Sequence, residues 1–159
     1  LKLANVNNSC APLTDYAVYI WHCDALGQYS LYDVPIEDYL RGVQVSDANG
    51  EVRFTTIVPG CYAGRYPHIH LEVFSSLANA TNGRFAVLVS QMVIPSEVCQ
   101  TVYSGSVYGQ SLTRFNATSI AGDSVFGDNT PAQIAAMTPS FSGSAATGYD
   151  AMAVVGIAT

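Results

Sequence analysis

The chain has 159 residues, enough for one domain with a real hydrophobic core. Only 11% of them are charged, against ~25% in an average globular domain, and six Lys and Arg leave a net charge of −6. That excludes the basic footprint of a nucleic-acid binder and a polybasic membrane anchor, and no apolar run approaches the ~20 residues of a membrane span.

Leu1–Val6 alternates weakly and predicts a strand, and Asn7–Thr14, with Asn, Ser, Cys and Pro, predicts a turn. Tyr16–Cys23 is rich in β-branched and aromatic residues and predicts a second strand. Asp24–Asp38 is a Gly- and Tyr-containing excursion, too irregular for a strand. Arg41–Ser46 and Glu51–Ile57 flank Asp47-Ala48-Asn49-Gly50, which predicts a hairpin because Asn-Gly supplies the positive φ of a tight turn. Pro59-Gly60 breaks the returning arm. Pro67–Phe74 alternates again, Phe85–Ile94 is nearly continuous apolar and predicts a buried strand, and Ala151–Ala158 predicts the last strand. Between Pro95 and Tyr149 the periodicity is poor, and only Thr130–Ala136 predicts a short helix. There is no repeat and no linker. The expected fold is all-β: one β-sandwich domain over 1–159, with long irregular loops and little helix.

Two of the three histidines stand in His68-Ile69-His70. On a strand their side chains share a face, where two imidazoles suit metal ligation better than core packing. Pro59-Gly60-Cys61-Tyr62 sets a tyrosine on a sharp turn six residues before His68, with Arg65 between them. Carboxylates are few nearby, so a His/Asp/Glu divalent site is not indicated, and CxxC spacing for zinc or iron–sulfur is absent. A phenolate is a hard anionic ligand, and with imidazoles it favours ferric iron.

Four blocks then stand in order: Trp21-His22-Cys23-Asp24-Ala25-Leu26-Gly27-Gln28-Tyr29, Leu40-Arg41-Gly42-Val43-Gln44, Phe54–Tyr62 with its Pro-Gly-Cys-Tyr ending, and Gly64-Arg65-Tyr66-Pro67-His68-Ile69-His70. Together they resemble the intradiol ring-cleavage dioxygenases, most of all their short secreted bacterial and fungal members. The resemblance is strong over about residues 10–95 and continues faintly through Asp123–Asp128 and Gly148–Ile157. It implies Fe(III) held by Tyr29, Tyr62, His68 and His70, with Tyr29 the permanent tyrosinate and Tyr62 the one that leaves when substrate binds. It implies that Arg65 faces the bound ring and that Gln91 stands beside it. The implied partners are a catechol-type substrate and O2, the implied product a muconate-type diacid. The helical dimerisation region of the catechol dioxygenases has no counterpart in the quoted chain, so a monomer, or a dimer formed by another route, is expected.

The same residues admit other readings. A Tyr at a turn is ordinarily packing with a wet hydroxyl. Gln91 fits a structural hydrogen bond nearly as well as a substrate role. His22 reads as a satisfied structural histidine, and Trp21, on the strand's other face with Tyr19, reads as core. A non-catalytic β-sandwich binding module and a metal enzyme of another class, such as a copper site, are the competing functions; the intact Tyr, Tyr, His, His set argues against the first, and the two phenols argue for ferric iron over the second. Three sequons (Asn7, Asn79, Asn116), four cysteines and a start at Leu1 without Met fit a mature secreted form. Four cysteines allow three pairings. Loops converging on a metal would favour Cys23–Cys61, leaving Cys10–Cys99.

Overall fold

Val18 and Ile20 in β3 (Ala17–Trp21), Leu71 and Val73 in β5 (His68–Phe74) and Met92 in β6 (Leu88–Val93) are buried. On each strand the alternate positions turn one apolar face the same way. With β4 (Arg41–Val45) these strands form an antiparallel sheet in the order β4-β3-β5-β6. A second sheet, β2-β1-β9, contains β1 (Lys2–Asn5) antiparallel to β2 (Ala11–Pro12) and parallel to β9 (Val154–Ile157). Leu3, Val52, Val155 and Ile157 close over the first sheet's apolar face to make one core of ten buried residues. The computed structural model describes all 159 residues, and this is the expected all-β sandwich.

The turn at Asp47–Gly50 forms by the expected chemistry. Asp47 Oδ1 accepts from the N–H groups of Asn49 and Glu51, both at 2.8 Å, and Gly50 adopts φ +75°. The returning arm does not pair with β4. Leu1 N donates to Val52 O at 2.8 Å, Val52 N donates to Leu1 O, and Leu3 N donates to Gly50 O. The chain therefore crosses to the second sheet, drawn there by burial of Val52 in the core. Phe85–Ile94 is not a fully buried strand either. Gly83–Phe85 is a 3₁₀ turn capped by Asn82, and β6 is an edge strand with Val89 mostly exposed. The last expected strand divides at Ala153 into β8 (Gly148–Met152), which pairs with β7 (Ser140–Ser144), and β9.

Three helices occupy the long connection. The expected one is α3 (Pro131–Met137), opened by a capping box of Thr130 and Gln133 with proline in its first turn. Two others, α1 (Ser96–Val102) and α2 (Ser111–Asn116), give no clear periodicity in sequence because each is about two turns long. They pack Val98, Cys99, Tyr103 and Tyr108 into a satellite core with Ile94 and Cys61. The expected disulfides are absent. Cys10 is an exposed thiol, and Cys23, Cys61 and Cys99 are buried thiols directed at backbone carbonyls.

Candidate metal centre

The strand register builds the site before any loop is considered. Trp21 pairs with Arg41 on one side and His70 on the other, and His70 pairs with Gln91. These four residues form one row across the sheet, on the face opposite Val18, Ile20, Leu71 and Val73. His68 stands on the same face two residues before His70. Its Nδ1 lies 2.6 Å from Tyr66 O, which can only accept. Burial holds the His68 imidazole down at about 4, so at neutral pH the ring is uncharged and Nε2 is a bare lone pair. A carbonyl fixing the distal nitrogen is the arrangement that orients metal-ligating histidines.

Two loops bring the phenols to that lone pair. In the first, Asp24 Oδ1 accepts from the N–H groups of Leu26 and Gln28, Gly27 takes φ +87°, and Tyr29 N donates to Asp33 Oδ2 at 2.7 Å. In the second, Gly60 lies so close to the first that an added Cβ would meet Ala25 O at 2.5 Å. Helix α2 ties both loops together. Ser111 Oγ donates to Ala25 O and accepts from Cys61 N, while Arg114 Nη1 donates to Leu26 O and Cys61 O. Tyr103 and Tyr108 hydroxyls donate to Pro59 O and Val58 O. These hydrogen bonds hold the loops where a Cys23–Cys61 bridge was expected to.

The outcome is convergence. Around His68 Nε2 lie Tyr29 OH at 3.4 Å, Tyr62 OH at 3.4 Å and His70 Nε2 at 3.2 Å. Metal–nitrogen and metal–oxygen bonds of ~2.0–2.1 Å at octahedral to tetrahedral angles put neighbouring donors about 2.8–3.4 Å apart, so the observed spacings fit a shared cation. No group of three His, Cys, Asp or Glu exists elsewhere to compete for one. Burial pushes both phenols above their ordinary value and both imidazoles below theirs, His70 to about 3. Four neutral groups therefore face each other, and a polyvalent cation is what would ionise the phenols.

Arg65 and Gln91 also reach the site, joined to each other. Arg65 Nη2 donates to Gln91 Oε1 at 2.7 Å and its Nε donates to Asp123 Oδ2 at 2.9 Å. Asp123 has a fully buried carboxylate that also accepts from the backbone N–H groups of Tyr66, Val125 and Phe126. Burial alone would raise its pKa, but these four donors outweigh it and hold the carboxyl below the usual range. Asp123 had no assigned role in the sequence, where it stands in a stretch without periodicity. Trp21 is not the core residue its strand position predicts. It is half-buried, stacks on His70 with centroids 4.5 Å apart and planes 5° apart, and forms a wall of a cleft of about 450 Å³ over Tyr29, Tyr62 and His70. His22 is a buried structural histidine, held by Cys23 O and Thr56 Oγ1.

Residues 4–98 match the family model described as Dioxygenase. The chain belongs to the intradiol ring-cleavage dioxygenases. Among curated proteins, this dioxygenase is 30% identical over 99 residues to the protocatechuate 3,4-dioxygenase beta chain of Burkholderia cepacia, a match spanning 54% of this chain and 40% of that one. Among solved structures it resembles the intradiol ring-cleavage dioxygenase of Tetranychus urticae, with TM-score 0.80, 25% identity, and coverage of 99% of this chain and 77% of that chain. Catechol 1,2-dioxygenase of Pseudomonas arvilla shares its fold, with TM-score 0.60 at 18% identity over 99% of this chain and 50% of that chain. The dioxygenase thus spans less than half the length of its curated relative.

Proposed function

We propose that this dioxygenase holds Fe(III) through Tyr29, Tyr62, His68 and His70 and uses O2 to open catechol-type rings between the two hydroxylated carbons, giving muconate-type diacids. The convergence of two phenol oxygens and a second imidazole on His68 Nε2 carries this reading. A ferric ion held by these four residues would supply Lewis acidity toward the catechol and a route for electrons from ring to O2. Tyr29, nearly buried, is the phenol built to stay. Tyr62, only partly buried on its turn, is the one free to swing away and take a proton from the incoming catechol. Arg65, fixed by Asp123 and Gln91, keeps a permanent positive charge beside the reacting ring. Trp21 stacked on His70 fixes that imidazole and walls the cleft.

Atoms balance without a further reductant, because catechol and O2 together have the composition of the diacid. The test is turnover of catechol by the iron-loaded protein under ¹⁸O2. One mole of oxygen consumed per mole of diacid, with both labelled atoms retained, supports the proposal. Absence of ring-opened product from fully loaded protein contradicts it. We also assign the chain to the extracellular space. All three sequon asparagines are exposed, and a glycosidase-sensitive mass at Asn7, Asn79 or Asn116 on the native protein tests it.

A further inference from the structure

We infer that the cleft takes catechols whose ring substituent is uncharged and apolar or aromatic, that it disfavours those carrying a carboxylate, and that Asp33 determines this choice. The inference rests on the ring-cleaving reading above and extends it to substrate class.

The cleft is walled by Trp21, Tyr32, Tyr29, Tyr62 and His70, and its one formally charged lining residue is Asp33. Asp33 does not swing freely, because its Oδ2 accepts from Tyr29 N at 2.7 Å and its own N–H donates to Tyr29 O at 2.9 Å. Arg65 and Arg41 stand beside the cleft, behind its Tyr and His walls, and the guanidinium groups around it are committed. Arg65 is paired with the buried Asp123 and with Gln91. Arg41 donates to Tyr19 OH, Ser30 Oγ and Ser30 O and lies 4.9 Å over the Tyr32 ring. Arg114 donates to Leu26 O and Cys61 O. An entering carboxylate would lose water and find no uncommitted positive charge to replace it.

The loop that carries Tyr29 strengthens both halves of the inference. From Asp24 to Asp38 it holds Asp24, Asp33, Glu37 and Asp38 and no Lys or Arg, so its field repels anions. The same loop exposes Leu26, Leu31, Tyr32 and Ile36, the last 92% accessible. Of these, Tyr32 lines the cleft opposite no charged donor, and with Trp21 it offers an apolar or aromatic substituent a surface whose burial favours binding.

The experiment compares 3,4-dihydroxybenzoate with 3,4-dihydroxybenzamide on the iron-loaded protein. The two differ little in size and chiefly in charge. At low salt, kcat/KM for the amide should exceed that for the acid by about tenfold, the scale of one like-charge contact at partly screened short range. Raising ionic strength to about 0.5 M, where the Debye length falls to a few ångströms, should narrow the gap by speeding the acid. Asp33→Asn, which keeps an oxygen for Tyr29 N, should narrow it in the same direction. If the acid is turned over as well as the amide at low salt, the inference falls while ring cleavage stands. If the gap persists unchanged through both salt and Asp33→Asn, the assignment to Asp33 falls. Should the variant not fold, the salt series on the native protein decides. If neither ring nor catechol itself is opened by protein with bound iron, the ring-cleaving reading fails and this inference with it.

Discussion

On the inner face of the four-stranded sheet, Val18, Ile20, Leu71, Val73 and Met92 meet a second sheet and are buried. On the outer face of the same strands, Trp21, His68, His70 and Gln91 meet loops and a cleft. Backbone geometry is shared, since one residue's step along β5 moves from Leu71 to His70. The inner face works by volume and tolerates any apolar set of the right shape. The outer face sets four polar side-chain atoms at fixed spacing, and its precision comes from the sheet register and from α2, which holds both tyrosine loops.

The sharpest way to separate the faces is to remove one ligand. His70→Ala should abolish iron retention and oxygen uptake, measured by metal analysis and an oxygen electrode, while circular dichroism stays that of a β-sandwich. Leu71→Ala, one residue away on the other face, should cost about 2–5 kcal/mol of stability in denaturant titration, yet leave the iron content and the visible spectrum of the folded fraction intact. Asp123→Asn should lower kcat/KM by about 10–100-fold, the usual cost of losing a second-layer partner, with iron still bound. It should also flatten the acid limb of stability against pH. A carboxyl held below its unfolded value contributes fully above that value, ~3.9, and loses the contribution as pH falls through the lower folded one. The smallest effect is expected beyond the cleft on the outer face. Val89→Thr, at a mostly exposed edge position, should shift stability by no more than about 0.5 kcal/mol and leave turnover unchanged.

What the sequence could show follows the same division. The meeting of two histidines with two tyrosines was legible because His68-Ile69-His70 and the two tyrosine-bearing blocks are local patterns. The sandwich was legible because alternation is local too. Alternation places Trp21 away from Val18 and Ile20 but does not tell what covers that side, so a cleft wall reads as core. Asp123 was hidden because its partners, Arg65 and Tyr66, lie far back along the chain. The loop clamp was assigned to cysteines because two of them flank the right segments, whereas a helix too short to show a period supplies it through Ser111 and Arg114. The hairpin at Asn49-Gly50 had the right turn and the wrong partner, since turn chemistry fixes the reversal but Val52's burial chose the sheet.

The most direct test is optical. Adding one equivalent of iron to metal-free protein in air should produce a red-brown tyrosinate-to-Fe(III) charge-transfer band, which anaerobic catechol then shifts. Iron bound at one equivalent with no visible band, and no change on adding catechol, would mean that Tyr29 and Tyr62 do not ligate it.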